Sequence, residues 1–127
     1  AKTLLVDGAP GIGCPVIASL SGAHVALVVT EPSLSALHDL ERVVEVARHF
    51  RTKIYLAINK ADLSPELTTQ IEGYAEKEGL PVLGRIPYDE GVVRAQVAGR
   101  PAVEDGDSPA ARGLRALWEK LAEKLSL

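Results

Sequence analysis

A chain of 127 residues, 46% hydrophobic and 24% charged, has the balance of one soluble globular domain covering residues 1–127; a disordered tail, a collagen-like fibre and a coiled coil are excluded. A formal net charge of −3 speaks against a nucleic-acid partner, which is met by a basic face. A single cysteine makes no internal disulfide, no apolar run reaches the roughly 18 residues of a membrane span, and no signal peptide is read after Lys2, so a cytoplasmic domain is expected.

Thr3-Leu4-Leu5-Val6 is a short apolar run stopped by the turn formers Asp7-Gly8-Ala9-Pro10-Gly11. Val25–Val29 is a second run, ended by Thr30-Glu31-Pro32, and Ile54–Ile58 a third, ended by Asn59-Lys60-Ala61-Asp62. Pro81–Ile86 is a weaker fourth, ended by Pro87-Tyr88-Asp89. None alternates polar with apolar residues, so all four read as strands buried on both faces of a parallel sheet. Aromatic residues make up only 4%, which leaves an aliphatic core.

Helical patterns fill the gaps. Leu37, Leu40, Val44 and Ala47 recur at three- and four-residue spacing, with charged residues mostly opposite. Ser64-Pro65 is an N-cap followed by proline at the first helical position, and Gly79 stops that helix. Ser108-Pro109 repeats the start signal, and Leu114, Leu117, Trp118, Leu121 and Leu125 form the packing stripe of a closing helix. The segment 99–107 reads as a polar loop. The fold class is therefore α/β, a mostly parallel sheet of about four strands with helices on both faces in three layers. In such sheets the ligand lies at the carboxyl ends of the strands, which puts Asp7, Thr30, Asn59 and Pro87 near one edge.

Asp7 follows a buried strand, where a carboxylate holds water on Mg²⁺ or acts on the water itself. Gly8 and Gly11 would let backbone N–H groups approach an anion. The plain alternative is a strand-ending turn whose aspartate caps the next helix. Asn59 carries a donor and an acceptor for a purine edge, and the Lys60 stem can lie across a flat base; the alternative is an Asx-capped turn. Pro87 fixes the third loop, and its free carbonyl could receive an exocyclic amine, although the tetrapeptide by itself signals nothing. Cys14 reads as a small buried residue starting a helix, the alternative being an exposed thiol behind the Asp7 loop that meets redox chemistry or a cluster. His24, His38 and His49 share no metal-like spacing. A phosphate cradle needs G-x-x-x-x-G-K-[ST], and nowhere here does lysine follow glycine.

The order Leu-Leu-Val-Asp7-Gly8-Ala-Pro10-Gly11-Ile-Gly-Cys14-Pro, then Thr30-Glu31-Pro32, Asn59-Lys60-Ala-Asp62 and Ile-Pro87-Tyr-Asp89 resembles the C-terminal half of MinD/ParA/Mrp-type P-loop ATPases. It is most similar to the MinD-superfamily ATPases that carry an inserted ferredoxin domain. The resemblance implies an incomplete P-loop NTPase fold and, in the complete protein, ATP and Mg²⁺. An iron–sulfur cluster would come only through the ferredoxin insert, which this chain lacks along with the P-loop. It makes Asp7 the switch-region aspartate near Mg²⁺, with Gly8, Pro10, Gly11, Asn59, Lys60, Asp62, Pro87 and Asp89 as nucleotide-binding positions. It also puts the missing P-loop strand between Thr3–Val6 and Val25–Val29. That gap either closes by direct pairing of the two runs or, the favoured expectation, is filled by a second copy or by the N-terminal half. The chain alone is then expected to be inactive.

Two other readings stand beside it. Asn59-Lys60-Ala61-Asp62 satisfies N-K-x-D, whose aspartate reads guanine in GTPases, although the residue three after Asp7 is Pro10 where D-x-x-G needs glycine. The chain could also be a non-catalytic α/β module that only docks a partner.

Overall fold

Three of the apolar runs become one parallel sheet: β1 (Val25–Thr30), β2 (Lys53–Asn59) and β3 (Val82–Ile86), in the order β1-β2-β3. The helices are α1 (Cys14–Ser21), α2 (Leu34–His49), α3 (Pro65–Glu78), α4 (Glu90–Val97) and α5 (Pro109–Leu125). The computed structural model describes residues 3–8, 13–104 and 106–127.

β2 is central, and Ile54 through Ile58 are buried without a break. Its side chains alternate between two cores, as the two-residue period of a strand dictates. Ile54, Leu56 and Ile58 meet Val16 and Leu20 of α1, Leu40, Val44 and Ala47 of α2, and Ile71 and Ala75 of α3. Tyr55 and Ala57 meet Leu83, Ile86 and the Ala110, Leu117 and Leu121 stripe of α5. Helices thus cover both faces, as expected.

The helix boundaries follow local chemistry. Ser33, Ser64 and Ser108 each accept a hydrogen bond from the backbone N–H three residues on, at 3.1, 3.3 and 3.2 Å, satisfying a first-turn donor of α2, α3 and α5. Gly79 ends α3 at φ 69°, a left-handed turn that glycine adopts without a Cβ penalty. Thr52, buried ahead of β2, donates to the carbonyl of Leu20 or Ala23 and fastens the end of α1 to the sheet.

β3 departs from a regular ladder. Leu56 pairs with Val82 but Ala57 pairs with Gly84, so β3 carries one extra residue. This bulge turns Gly84 and Ile86 toward α5 along with Leu83. A Cβ on Gly84 would stand 3.6 Å from Leu117, so the bare backbone is what α5 packs on.

Three expectations are corrected. The sheet has three strands among the described residues, not about four, because Thr3–Val6 forms no strand. Leu4 and Leu5 are 86% and 85% exposed. A strand is held by its ladder, and the strand that the resemblance places between this run and β1 is not encoded in the chain. Among the described residues nothing pairs with the outer edge of β1. Second, Cys14 does open α1, but it is exposed, since Val16 and Leu20 form that helix's inner face. Third, Trp118 is 53% exposed, because Leu117 and Leu121 take the sheet-facing positions of α5.

Candidate functional site

In the parallel register Thr30 stands opposite Ile58, and Asn59 opposite Ile86. The loops that follow the three strands therefore begin side by side at the carboxyl edge, the place where open α/β sheets bind ligands. This brings Asn59, Lys60, Asp62, Pro87 and Asp89 into one neighbourhood beside Thr30 and Glu31. Asp7 and Gly8 lie on the exposed 3–8 segment, and no hydrogen bond or ion pair among the described residues joins them to the other loops. Pro10 and Gly11 lie outside the described residues.

The half-buried Asn59 ends β2, and its Oδ1 accepts from the Lys60 backbone N–H at 3.0 Å. That leaves its side-chain NH₂ group to donate elsewhere. Lys60 is left-handed, at φ 52° and ψ 40°, a region that costs a non-glycine residue of order 1 kcal/mol or more. The turn it creates starts a short 3₁₀ segment, Ala61–Leu63. The Lys60 ammonium lies 3.3 Å from Glu31 Oε1, linking the loops after β2 and β1, though both groups are about half exposed and the pair is screened. Thr68, fully inside α3, donates to the Ala61 carbonyl at 2.7 Å and holds this turn to the helix beneath it.

The aspartates tie loops together. Asp62 Oδ1 accepts from the Tyr88 backbone N–H at 2.7 Å, joining the β2 loop to the β3 loop. Asp89 Oδ1 accepts from the Gly91 N–H at 2.8 Å and Oδ2 from the Ala110 N–H at 3.0 Å, so one carboxylate caps the first turns of both α4 and α5. The cap on α4 is local, but nothing in the local spacing announces the bonds to Tyr88 and Ala110, which lie 26 and 21 residues away from their aspartates. A recess of about 460 Å³, lined by Tyr88, Glu90, Val93, Arg94 and Val97, opens beside α4 and includes neither Asn59 nor Lys60.

The Ala110 and then the Gly91 N–H groups, helped by the Ser108 hydroxyl and the Arg94 charge, hold the Asp89 carboxyl below the ordinary aspartate range against a smaller opposing effect of burial. A depressed folded value means stability that is complete above the unfolded value and lost as pH falls through the folded one. The unfolding midpoint of the parent chain should therefore exceed that of Asp89→Asn by a constant margin above about pH 5, and the margin should shrink below about pH 4. Thermal unfolding of both chains across that range checks it; a margin independent of pH contradicts it.

No protein-family model matches the chain. Its curated relatives include an iron–sulfur cluster carrier protein of Pyrococcus furiosus, 31% identical over 96% of this chain and 45% of the relative. They also include an uncharacterized ATP-binding protein of Methanocaldococcus jannaschii, 32% identical over 94% of this chain and 46% of the relative. Among solved structures, the cell division ATPase MinD of Pyrococcus furiosus superposes with a TM-score of 0.79 at 27% identity, covering 94% of this chain and 50% of the other. The septum site-determining protein MinD of Pyrococcus horikoshii, solved with Mg-ADP, gives 0.66 at 27% identity over 77% and 41%. The chain spans about half the length of each. In sequence and in fold alike, this chain is a relative of the MinD/ParA/Mrp-type P-loop ATPases, matching about half of their length.

Proposed function

We propose that the chain supplies the base side of a MinD-like ATP site. The observation that carries this reading is the parallel register that starts the Asn59 and Pro87 loops from neighbouring strand ends. A base lying across that edge meets the Asn59 amide from β2 and the Pro87 backbone from β3, with the Lys60 stem alongside. The Mg-ADP held by the Pyrococcus horikoshii MinD in its solved structure supports the same ligand class.

The residues fit the base and not the rest of the nucleotide. The chain has no glycine followed by lysine to wrap a triphosphate, and Asp7, the proposed switch-region aspartate, is exposed on a segment that forms no strand. Gly8, Pro10 and Gly11 would border the phosphates only when a cradle is supplied. Cys14 alone holds no cluster. The proposal therefore assigns binding and orientation of the base to this chain, and hydrolysis to a complete site. The cradle and its strand come from the N-terminal half, seated on the open edge of β1; a second copy has no cradle to give and could only cover that edge. Unpaired strand edges are templates for such pairing.

Lacking charge-assisted contacts worth about 1.5–3 kcal/mol each, the triphosphate gains little here. Calorimetric titration of the purified chain should show weak ATP binding, weaker GTP binding and no phosphate release. Turnover that survives rigorous purification and disappears in Asp7→Ala would refute the assignment; GTP binding tighter than ATP would favour the guanine-reading alternative.

A further inference from the structure

Resting on the base-side reading above, we propose that Asp62 sets the base preference of the site by aiming the Pro87 carbonyl, not by touching the base. The argument starts from the 2.7 Å bond between Asp62 Oδ1 and the Tyr88 N–H. The Pro87–Tyr88 peptide is trans, so its C=O and N–H point in opposite directions from one rigid plane. Fixing where the N–H points fixes where the carbonyl points, and that direction is away from Asp62. Among the described residues no hydrogen-bond donor meets the Pro87 carbonyl, so it is a directed acceptor without an internal partner.

Adenine and guanine differ at the edge such an acceptor would read. Both offer the N7 acceptor, which suits the remaining NH₂ of Asn59. Adenine adds an amino donor, whereas guanine carries the O6 acceptor at the same position. A carbonyl held toward that position bonds the adenine amine and opposes the guanine oxygen. Reading guanine through N-K-x-D would instead require the Asp62 carboxylate to turn to the base, and one of its oxygens is already committed to Tyr88. The sequence that spells a guanine motif is thus used here to stabilise an adenine-selective backbone. Asp62 is a positioning residue, acting through Tyr88 and Pro87.

The test follows backbone amide signals of the isotope-labelled chain by NMR while AMP or GMP is added. AMP should move the Asn59, Lys60 and Tyr88 signals at about tenfold lower concentration than GMP, the worth of one net hydrogen bond. Asp62→Asn retains an oxygen that accepts from Tyr88, so the preference and slow Tyr88 amide exchange should persist. Asp62→Ala should bring the two nucleotides to near parity and speed Tyr88 exchange, with the rest of the spectrum unchanged. A GMP preference lost in Asp62→Asn would overturn the proposal, because the carboxylate would then be reading guanine directly. An AMP preference unaltered in Asp62→Ala, or abolished in Asp62→Asn, would overturn it too. If Asp62→Ala does not fold, the Asp62→Asn arm decides. Failure of both nucleotides to move the loops overturns the base-side reading itself. That result is distinguishable, because the dependence of Tyr88 exchange on Asp62 is measured without nucleotide.

Discussion

Ile58→Ala should lower the unfolding free energy by about 2–5 kcal/mol, the range for emptying a buried isoleucine site. Ile58 is completely inaccessible at the end of the central strand, in the core that α1, α2 and α3 share with β2. With β1 and β3 on either side in the sheet and helices packed over it, the site has little freedom to collapse, so the upper part of the range is expected. Against a total stability of about 5–15 kcal/mol this is a large fraction. Denaturant unfolding should show a lower midpoint with an unchanged slope, and Ile58→Val should cost only about 0.5–1.5 kcal/mol. A loss below about 1 kcal/mol for the alanine variant would mean that the layer over β2 is loosely packed.

Thr68→Val should cost about 1–3 kcal/mol despite keeping the shape of the side chain. The hydroxyl is buried and its 2.7 Å bond satisfies the Ala61 carbonyl, so the variant leaves that carbonyl facing a methyl group. The effect should reach beyond stability, because Ala61 begins the turn that carries Lys60 and Asp62. Amide exchange across residues 60–63 should accelerate more than exchange in β1. Uniform acceleration through the whole chain would show that Thr68 supports only the global fold.

Much of this architecture was legible because local signals agreed with the tertiary outcome. The unbroken Ile54–Ile58 run announced a strand buried on both sides, and the Ser64-Pro65 and Ser108-Pro109 starts with the Gly79 stop marked helix ends, whereas the Ser33 cap was not read. Thr3–Val6 carries the same apolar signature as β1 and still forms no strand, since strand formation depends on a neighbour that periodicity does not reveal. The short α4 was missed because Asp89-Glu90-Gly91 reads as a loop until the Asp89 cap is seen. The bulge in β3 was hidden for a related reason: alternation fails over one residue only, too brief to register in a five-residue strand. At the candidate site, Asn59 and Pro87 were singled out by their places after apolar runs, and the register sets those places side by side. The aspartates were read as polar loop residues, but the bonds of Asp62 to Tyr88 and of Asp89 to Ala110 depend on how distant loops close on one another.

The double cap made by Asp89 has a consequence for how this domain tolerates insertions and deletions. Because one carboxylate grips the first turns of α4 and α5 together, the spacing of those two helix starts does not depend on the length of chain between them. The stretch 99–107 can lengthen at a closure cost that rises only about 0.6 kcal/mol for each doubling, while the helix starts stay registered. Residues 108–110 have no such latitude: a one-residue shift there carries the Ala110 N–H away from Asp89. Length variation among relatives should therefore gather between α4 and Ser108, making that segment the natural place to graft a tag or a foreign loop without disturbing the strand-end loops.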